Sequence, residues 1–245
     1  MTDFAYYYNN HPEWGLVRNN LIYTSLISTD KKTFCMWYHN DTEYHQGKNQ
    51  VVDPKLMDMK WKREVKFLTM MDSSYPHLIP KILDIDFNEK KIYLAIDGVD
   101  LWQRSLDANC EFDDILPDWQ EQMLKIVKAH NRLGIYKYSM HPSSYFIVDG
   151  KLKSINYFFC YTEADGDRTV REHLSHISFG RQEEMFPKLK KMGIDVDEPV
   201  HPRKLQMLCF ESFRSNFPDN FIEQAKDIYV FNDTMVEGPQ PHRVL

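Results

Sequence analysis

The alternation of apolar and polar positions divides the chain into a strand-rich first part and a helix-rich second part. Two β-rich runs, residues 20–27 and 33–38, flank a polar turn, and two more, residues 78–87 and 92–96, flank the turn at 88–91. Between these pairs, Met57, Trp61, Val65, Leu68 and Met71 recur every three or four residues, which predicts one buried face of a helix over residues 57–71. The pattern predicts two hairpins with a helix between them.

The second part has helical periodicity around one further hairpin. Residues 118–133 are amphipathic and end at Gly134, where a C-cap glycine belongs. After a polar loop, residues 145–148 and 151–158 flank Asp149-Gly150, the strongest short-range hairpin signal, because both turn positions need a positive φ. Helical patterns follow over 170–177, 182–192, 203–217 and 220–231. Strands followed by helices indicate the α+β class.

Composition and charge limit the classes of function. The chain has 245 residues, 42% of them hydrophobic, and a net charge of −6, which argues against binding nucleic acid through its phosphates. Its four cysteines form no C-x-x-C pair, and no apolar run of about 18 residues or signal peptide is visible. We therefore expect a cytoplasmic protein with no membrane association.

The order helix, glycine, polar loop with a proline, and Asp-Gly hairpin resembles the catalytic-loop region of the protein-kinase-like superfamily. In that family the loop reads H-x-D-x-x-x-x-N, and the far strand of the hairpin ends in Asp-Phe-Gly or a close variant. Residues 137–144 of this chain, KYSMHPSS, fall on the loop, and residues 156–158, NYF, fall on the second motif. The aromatic, asparagine-rich and glycine-poor character also resembles kinase-like proteins carried by tailed phages.

The resemblance implies a two-lobed kinase-like fold: residues 1–98 form a small N-terminal antiparallel sheet with one helix, 99–231 a larger helical C-lobe, and 232–245 a polar tail. It also implies that three catalytic positions are degenerate. Ser139 stands where the family has the loop aspartate, Ser144 replaces the asparagine that binds a second Mg²⁺, and Asn156 replaces the aspartate that binds the first. A neutral amide and two hydroxyls are poor magnesium ligands without a carboxylate beside them. We therefore expect no active catalytic residue and no metal site.

Other parts of the family pattern are also missing or weak. Residues 16–46 contain no glycine that could let a loop approach phosphates, and the strand ending at Tyr38 carries no lysine. Because Glu64 lacks that lysine as a partner, we expect it on a solvated helix face. Asp97, Gly98 and Val99 lie where the chain of family members passes from one lobe to the other, which makes them candidates for contact with an adenine ring.

Further candidates are structural rather than chemical. His141-Pro142 is expected to shape the loop, and His173 and His176 lie three residues apart without an identifiable third metal ligand.

Three functions remain open at the level of the sequence. The first is a pseudokinase that uses no cofactor and binds another protein. The second is an active phosphotransferase that uses ATP and Mg²⁺ through atypical residues, and the third is an unrelated α+β binding protein.

Overall fold

A computed structural model describes residues 13–19, 23–38, 54–173, 186–187, 189–191 and 195–230 of the chain. The N-terminal part contains a five-stranded antiparallel sheet with the strand order β1-β2-β3-β5-β4. Its strands are β1 (Trp14–Asn19), β2 (Thr24–Ser28), β3 (Thr33–Trp37), β4 (Ile82–Asp86) and β5 (Lys91–Ala95). Both predicted hairpins are confirmed, whereas β1 was not predicted. Its sequence, WGLVRN, shows little alternation of apolar and polar residues, and Gly15 falls at the irregular start of the strand.

Helix α1 (Pro54–Ser74) covers one face of this sheet and extends the predicted helix by a turn at its N-terminal end and three residues at its C-terminal end. Met57, Trp61, Leu68 and Met71 are buried, as their spacing predicts, and they pack with sheet residues in one hydrophobic cluster. Cys35 points to the opposite face of β3 and packs with Leu26 in a smaller cluster. The helix therefore covers one face of the sheet, and the other face carries a small apolar cluster of the sheet's own residues.

The helices that follow the sheet have capping residues at the start of the first and at the end of the third. They are α2 (Leu101–Ala108), α3 (Phe112–Ile115) and α4 (Trp119–Arg132). The Asp100 carboxylate accepts a hydrogen bond from the Gln103 amide and so caps the start of α2. Gly134, just beyond α4, has a φ of 65°, which confirms its predicted role in ending that helix.

The predicted hairpin is present as β7 (Tyr145–Val148) and β8 (Lys151–Ser154), preceded by β6 (Tyr136–Lys137) and followed by β9 (Cys160–Tyr161). Asp149 and Gly150 have φ values of 51° and 69°, the positive values that a two-residue hairpin turn requires. The far strand ends at Ser154 rather than at residue 158. The backbone leaves the ladder there and turns at Asn156, whose φ is 66°.

The remaining described strands and α-helices are β10 (Arg168–Thr169), α5 (Val170–His173), β11 (Pro199–Val200), α6 (Pro202–Ser212) and α7 (Asp219–Val230). The last two helices confirm the predictions over 203–217 and 220–231, although α6 ends five residues early. Most of the predicted helix over 182–192, His176, and the polar tail at 232–245 lie outside the described residues.

The buried apolar residues form two large clusters. One joins the sheet and α1 to residues of the hairpin region, including Phe146, Ile155 and Tyr157, and the other lies among the later helices. The protein is thus a mixed α+β chain with a small antiparallel sheet and several helices, as predicted, while the two-lobed arrangement with a boundary near residue 98 stays a prediction. Within the described ranges, no helix combines the length and apolar character needed to cross a membrane.

Candidate functional site

The loop at residues 137–144 is held at both ends by short strands. Strand β6 pairs with β9, with Tyr136 opposite Tyr161 and Lys137 opposite Cys160. At the other end, the Ile155 amide donates to the Ser144 carbonyl oxygen over 2.9 Å. Because these pairings join the loop to the segment after β8, they bring Ser139, Ser144 and Asn156 together.

The three candidate side chains form one hydrogen-bonded chain. The hydroxyl oxygens of Ser139 and Ser144 lie 3.0 Å apart, and the Asn156 amide Nδ2 donates to Ser144 Oγ over 2.9 Å. The chain continues to Tyr23, whose hydroxyl donates to Asn156 Oδ1 over 2.6 Å. We call this set, Tyr23, Asn156, Ser144 and Ser139, the polar chain.

The polar chain is largely closed to solvent. Ser144 is 1% exposed, Asn156 8% and Tyr23 5%. The Tyr23 ring packs 5.3 Å from that of Tyr38 and 6.1 Å from that of Phe158. Asn156 adopts the left-handed conformation, which asparagine tolerates better than most residues. The geometry therefore places a tyrosine hydroxyl on the amide oxygen that the family resemblance assigns to a metal.

The chemistry that the polar chain can perform is narrow. Its four members are all uncharged, so it has neither a general base near neutral pH nor the carboxylate that Mg²⁺ requires. Across the described ranges, no group of three or more His, Cys, Asp or Glu side chains is arranged to hold a metal ion. The side chains of the Glu172 and His173 pair are not among those described. The residues at the positions assigned to Mg²⁺ do not fit that ion.

Glu64 is the clearest error of the sequence interpretation, because it is fully buried rather than solvated. Its Oε2 accepts hydrogen bonds from the Tyr38 hydroxyl at 3.0 Å and from the Phe158 amide at 2.7 Å. Burial raises the pKa of Glu64, partly offset by these hydrogen bonds and by the charge of Lys137. Tyr38, at the end of β3, supplies the partner that no strand lysine provides.

Lys137 is a second buried ionisable residue beside the polar chain. Its ammonium donates to the carbonyl oxygens of Ile155 at 2.8 Å and Asn156 at 2.7 Å, and lies 5.0 Å from the centre of the Tyr157 ring. Burial lowers the pKa of Lys137 to about 8. Lys137 thus fixes the backbone turn that presents Asn156.

Residues 97–99, which we call the crossing segment, are the candidate contact for an adenine ring. Their backbone and side-chain groups form contacts within the chain. The Arg104 guanidinium donates to the carbonyl oxygen of Asp97 and, over 3.1 Å, to that of Val99. The Gly98 amide donates to the Lys31 carbonyl oxygen over 2.9 Å. The Asp97 carboxylate forms an exposed ion pair with Lys32. A ligand at this segment would have to compete with these contacts for its backbone groups.

His141 lies beside the loop backbone. Its Nδ1 accepts from the Ser143 amide at 3.2 Å and lies 2.9 Å from the Ser143 hydroxyl. The imidazole packs 5.2 Å from Trp102 and 6.2 Å from Phe213. These contacts fit the predicted loop-shaping role.

Three residues that the sequence interpretation did not select take part in the site: Tyr23, Tyr38 and Arg104. Tyr23 and Tyr38 act through contacts with residues far along the chain, and Arg104 acts through side-chain contacts with backbone five and seven residues before it. Neither periodicity nor spacing marks such contacts. The available signal was indirect, since a tyrosine follows directly where the strand lysine is missing, and an arginine lies one turn into the helix after the crossing segment.

No protein-family model matches the chain. No curated protein matches it either. Among the solved structures that are similar are a crystal structure of WbdD and one described as the bifunctional kinase-methyltransferase WbdD, each with a TM-score of 0.42 and 11% identity. The matches cover 93% and 95% of this chain but only 46% and 49% of those chains, so it spans about half their length.

Proposed function

We propose that the chain is a catalytically degenerate kinase-like protein that acts as a binding or regulatory module for another protein. The polar chain is the observation that carries this proposal. Phosphoryl transfer depends on Mg²⁺, on cationic groups and on an aspartate that positions the nucleophile. Here the corresponding positions are neutral and hydrogen-bonded to one another, Asn156 also accepts from Tyr23, and Ser144 and Asn156 are buried.

The surroundings of the polar chain support the same proposal. Glu64 accepts a hydrogen bond from Tyr38, which stands at the end of β3 where the family resemblance expects a lysine to pair with this carboxylate. Lys137 is fully buried and directed at two backbone carbonyl oxygens, which leaves it unable to reach a phosphate. Arg104 already donates to two carbonyl oxygens of the crossing segment. Three groups that could substitute for missing catalytic elements, Glu64, Lys137 and Arg104, are therefore engaged elsewhere.

A thermal-shift experiment with Mg²⁺ and ATP tests the proposal directly. An active transferase must hold Mg²⁺-ATP, and a ligand at 100 times its Kd stabilises the native state by about 2.7 kcal/mol. For a chain of this size each kcal/mol moves Tm by about 2–4 °C. We expect no Mg²⁺-dependent shift with millimolar ATP, using ATP with a chelator and Mg²⁺ alone as controls.

The contrary result has a defined form. A Mg²⁺-dependent rise of several degrees that is lost in Glu64→Gln would favour an active phosphotransferase that uses this buried carboxylate. A small rise that does not depend on Mg²⁺ would indicate adenine packing near residues 97–99 without catalysis.

Restoring the missing carboxylates tests whether they alone limit catalysis. We expect the double variant Ser139→Asp, Asn156→Asp to show no ATP hydrolysis or phosphate transfer above the wild-type background. The strand cation and the glycine loop are still missing, and positioning plus charge neutralisation supply most of the rate in phosphoryl transfer. Phosphate release or transfer to a protein substrate by the double variant would refute this account of the missing parts.

A further inference from the structure

A second concave surface lies apart from the polar chain, between helix α4, strand β8 and the turn after α1. It is an open groove of about 590 Å³, within the size range of ligand sites. No member of the polar chain lines it. Its cationic side chains, which define what we call the basic groove, are Lys125, Lys128, Arg132, Lys151 and Lys153.

The cations of the basic groove come from two elements and converge on one space. Lys125, Lys128 and Arg132 recur at intervals of three and four residues, so they lie on one face of α4. Lys125 is paired with Glu121 over 2.8 Å. Lys128, Arg132 and Lys151 are exposed, and none of them forms an ion pair with a carboxylate in the described part of the chain. Three cations are thus available to a ligand.

The floor of the basic groove is apolar. Leu152 and Ala129 are buried beneath it, and Leu78 and Tyr75 are partly exposed along one side. Asp118 also lines the groove, and its carboxylate accepts a hydrogen bond from the side-chain Nε2 of Gln122 at 2.8 Å. An apolar floor between cationic walls suits a ligand that has both carboxylates and an apolar side chain.

Two features favour a peptide over a phosphate-rich polymer. The net charge of the protein is −6, and the long-range repulsion that it exerts grows with the negative charge of the ligand, so it disfavours a nucleic acid more than a short peptide with a few carboxylates. Asp118 also lines the groove and would repel a phosphate placed there. A peptide can instead place its carboxylates on the cations and present an uncharged residue to Asp118.

We propose that the basic groove binds an acidic segment of a partner protein. The carboxylates of the segment pair with Lys128, Arg132 and Lys151, and an apolar side chain rests on Leu78 and Leu152. This inference rests on the proposed binding role and names the class of partner, although it concerns a different surface from the polar chain.

The test uses the full chain and a short fluorescein-labelled peptide that is rich in Glu and Asp and contains two leucines. Fluorescence anisotropy gives its Kd for the wild type and for the triple variant Lys128→Glu, Arg132→Glu, Lys151→Glu. The matched control reverses Lys81, Lys190 and Lys191, which are exposed outside the groove, so both triple variants carry the same net charge.

We expect the groove variant to weaken peptide binding at least about tenfold, because three surface charge pairs together contribute about that factor. The control variant should bind within about twofold of the wild type, since its reversed charges do not line the groove and salt screens exposed charges over about 8–10 Å at physiological ionic strength. Replacing the leucines of the peptide by serine should also weaken binding. If the groove variant fails to fold, the milder pair Lys128→Gln, Lys151→Gln replaces it.

Three results would overturn the inference: no saturable binding of the acidic peptide, equal weakening in both triple variants, or tighter groove-dependent binding of single-stranded DNA or of anionic vesicles than of the peptide. All measurements are made without ATP. Failure here therefore leaves the proposal about catalysis untouched, and a Mg²⁺-ATP shift would leave the groove result untouched.

Discussion

The hydrogen bond from Tyr23 to Asn156 offers the sharpest test of the site, because one substitution removes the donor hydroxyl and leaves the ring in place. In Tyr23→Phe the ring and its packing on Tyr38 and Phe158 remain, and only the hydroxyl is lost. Asn156 Oδ1, in a side chain that is 8% exposed, then loses its donor. An unsatisfied buried polar group costs about 1–3 kcal/mol.

We expect Tyr23→Phe to lower the free energy of unfolding by about 2 kcal/mol, which corresponds to about 4–8 °C in Tm. Urea denaturation and a melting scan measure the two quantities independently. Tyr75→Phe is the matched control, since the Tyr75 hydroxyl makes no hydrogen bond within the described part of the chain. The control should change stability by less than about 0.5 kcal/mol.

A double-mutant cycle separates the polar chain from a general packing effect. Tyr23 and Ser144 both bond to Asn156 without touching each other through a described hydrogen bond, so Tyr23→Phe and Ser144→Ala should be coupled by about 0.5 kcal/mol or more. Strict additivity, or a Tyr23→Phe effect no larger than that of Tyr75→Phe, would refute the interpretation of the polar chain as a buried, cooperative network.

Two further predictions concern the surroundings of the site. The folded-state pKa of Glu64 is raised above its usual value of 4.5. In the wild type, the contribution of this carboxyl group to the free energy of unfolding therefore decreases as the pH rises through that raised pKa. Glu64→Gln keeps an acceptor for Tyr38, so its free energy of unfolding relative to wild type should increase as the pH rises from below 4.5 through the raised pKa, and a difference that is constant with pH would contradict this. At the crossing segment, Gly98→Ala should destabilise the protein by about 1 kcal/mol more than Gly150→Ala in urea denaturation. Both glycines have a positive φ, but only a Cβ at Gly98 would meet Arg104, at 3.0 Å from Nη2, and equal effects would show that this contact is unimportant.

Local sequence signals predicted the elements well and their contacts poorly. The Asp149-Gly150 turn and the helical spacing from Met57 to Met71 depend on neighbours within a few residues, so the sequence alone specifies them. The same information placed Ser139, Ser144 and Asn156 on one loop and one hairpin, and they do meet. It could not show that Asn156 leaves the strand to adopt a left-handed conformation.

The errors share one physical cause. A helix position can be recognised as polar from its residue type, but whether it is solvated depends on what the rest of the chain brings to it. Glu64 is buried because Tyr38 and the Phe158 amide, 94 positions further along, satisfy its Oε2. Tyr38 bonds to Glu64 where a strand lysine was expected, and such a substitute partner cannot be identified until the fold is known.

The sequence separation of these contacts has a consequence for how the protein folds. Tyr23 bonds to a residue 133 positions away, Glu64 to one 94 away, and Arg63 to Asp165, 102 away. Closing such distant pairs costs chain entropy before any contact repays it, which slows folding. During synthesis the early sheet and α1 emerge with Glu64 and Tyr23 still lacking their distant partners. The N-terminal elements therefore acquire their final polar interior only after residues 156–165 have left the ribosome.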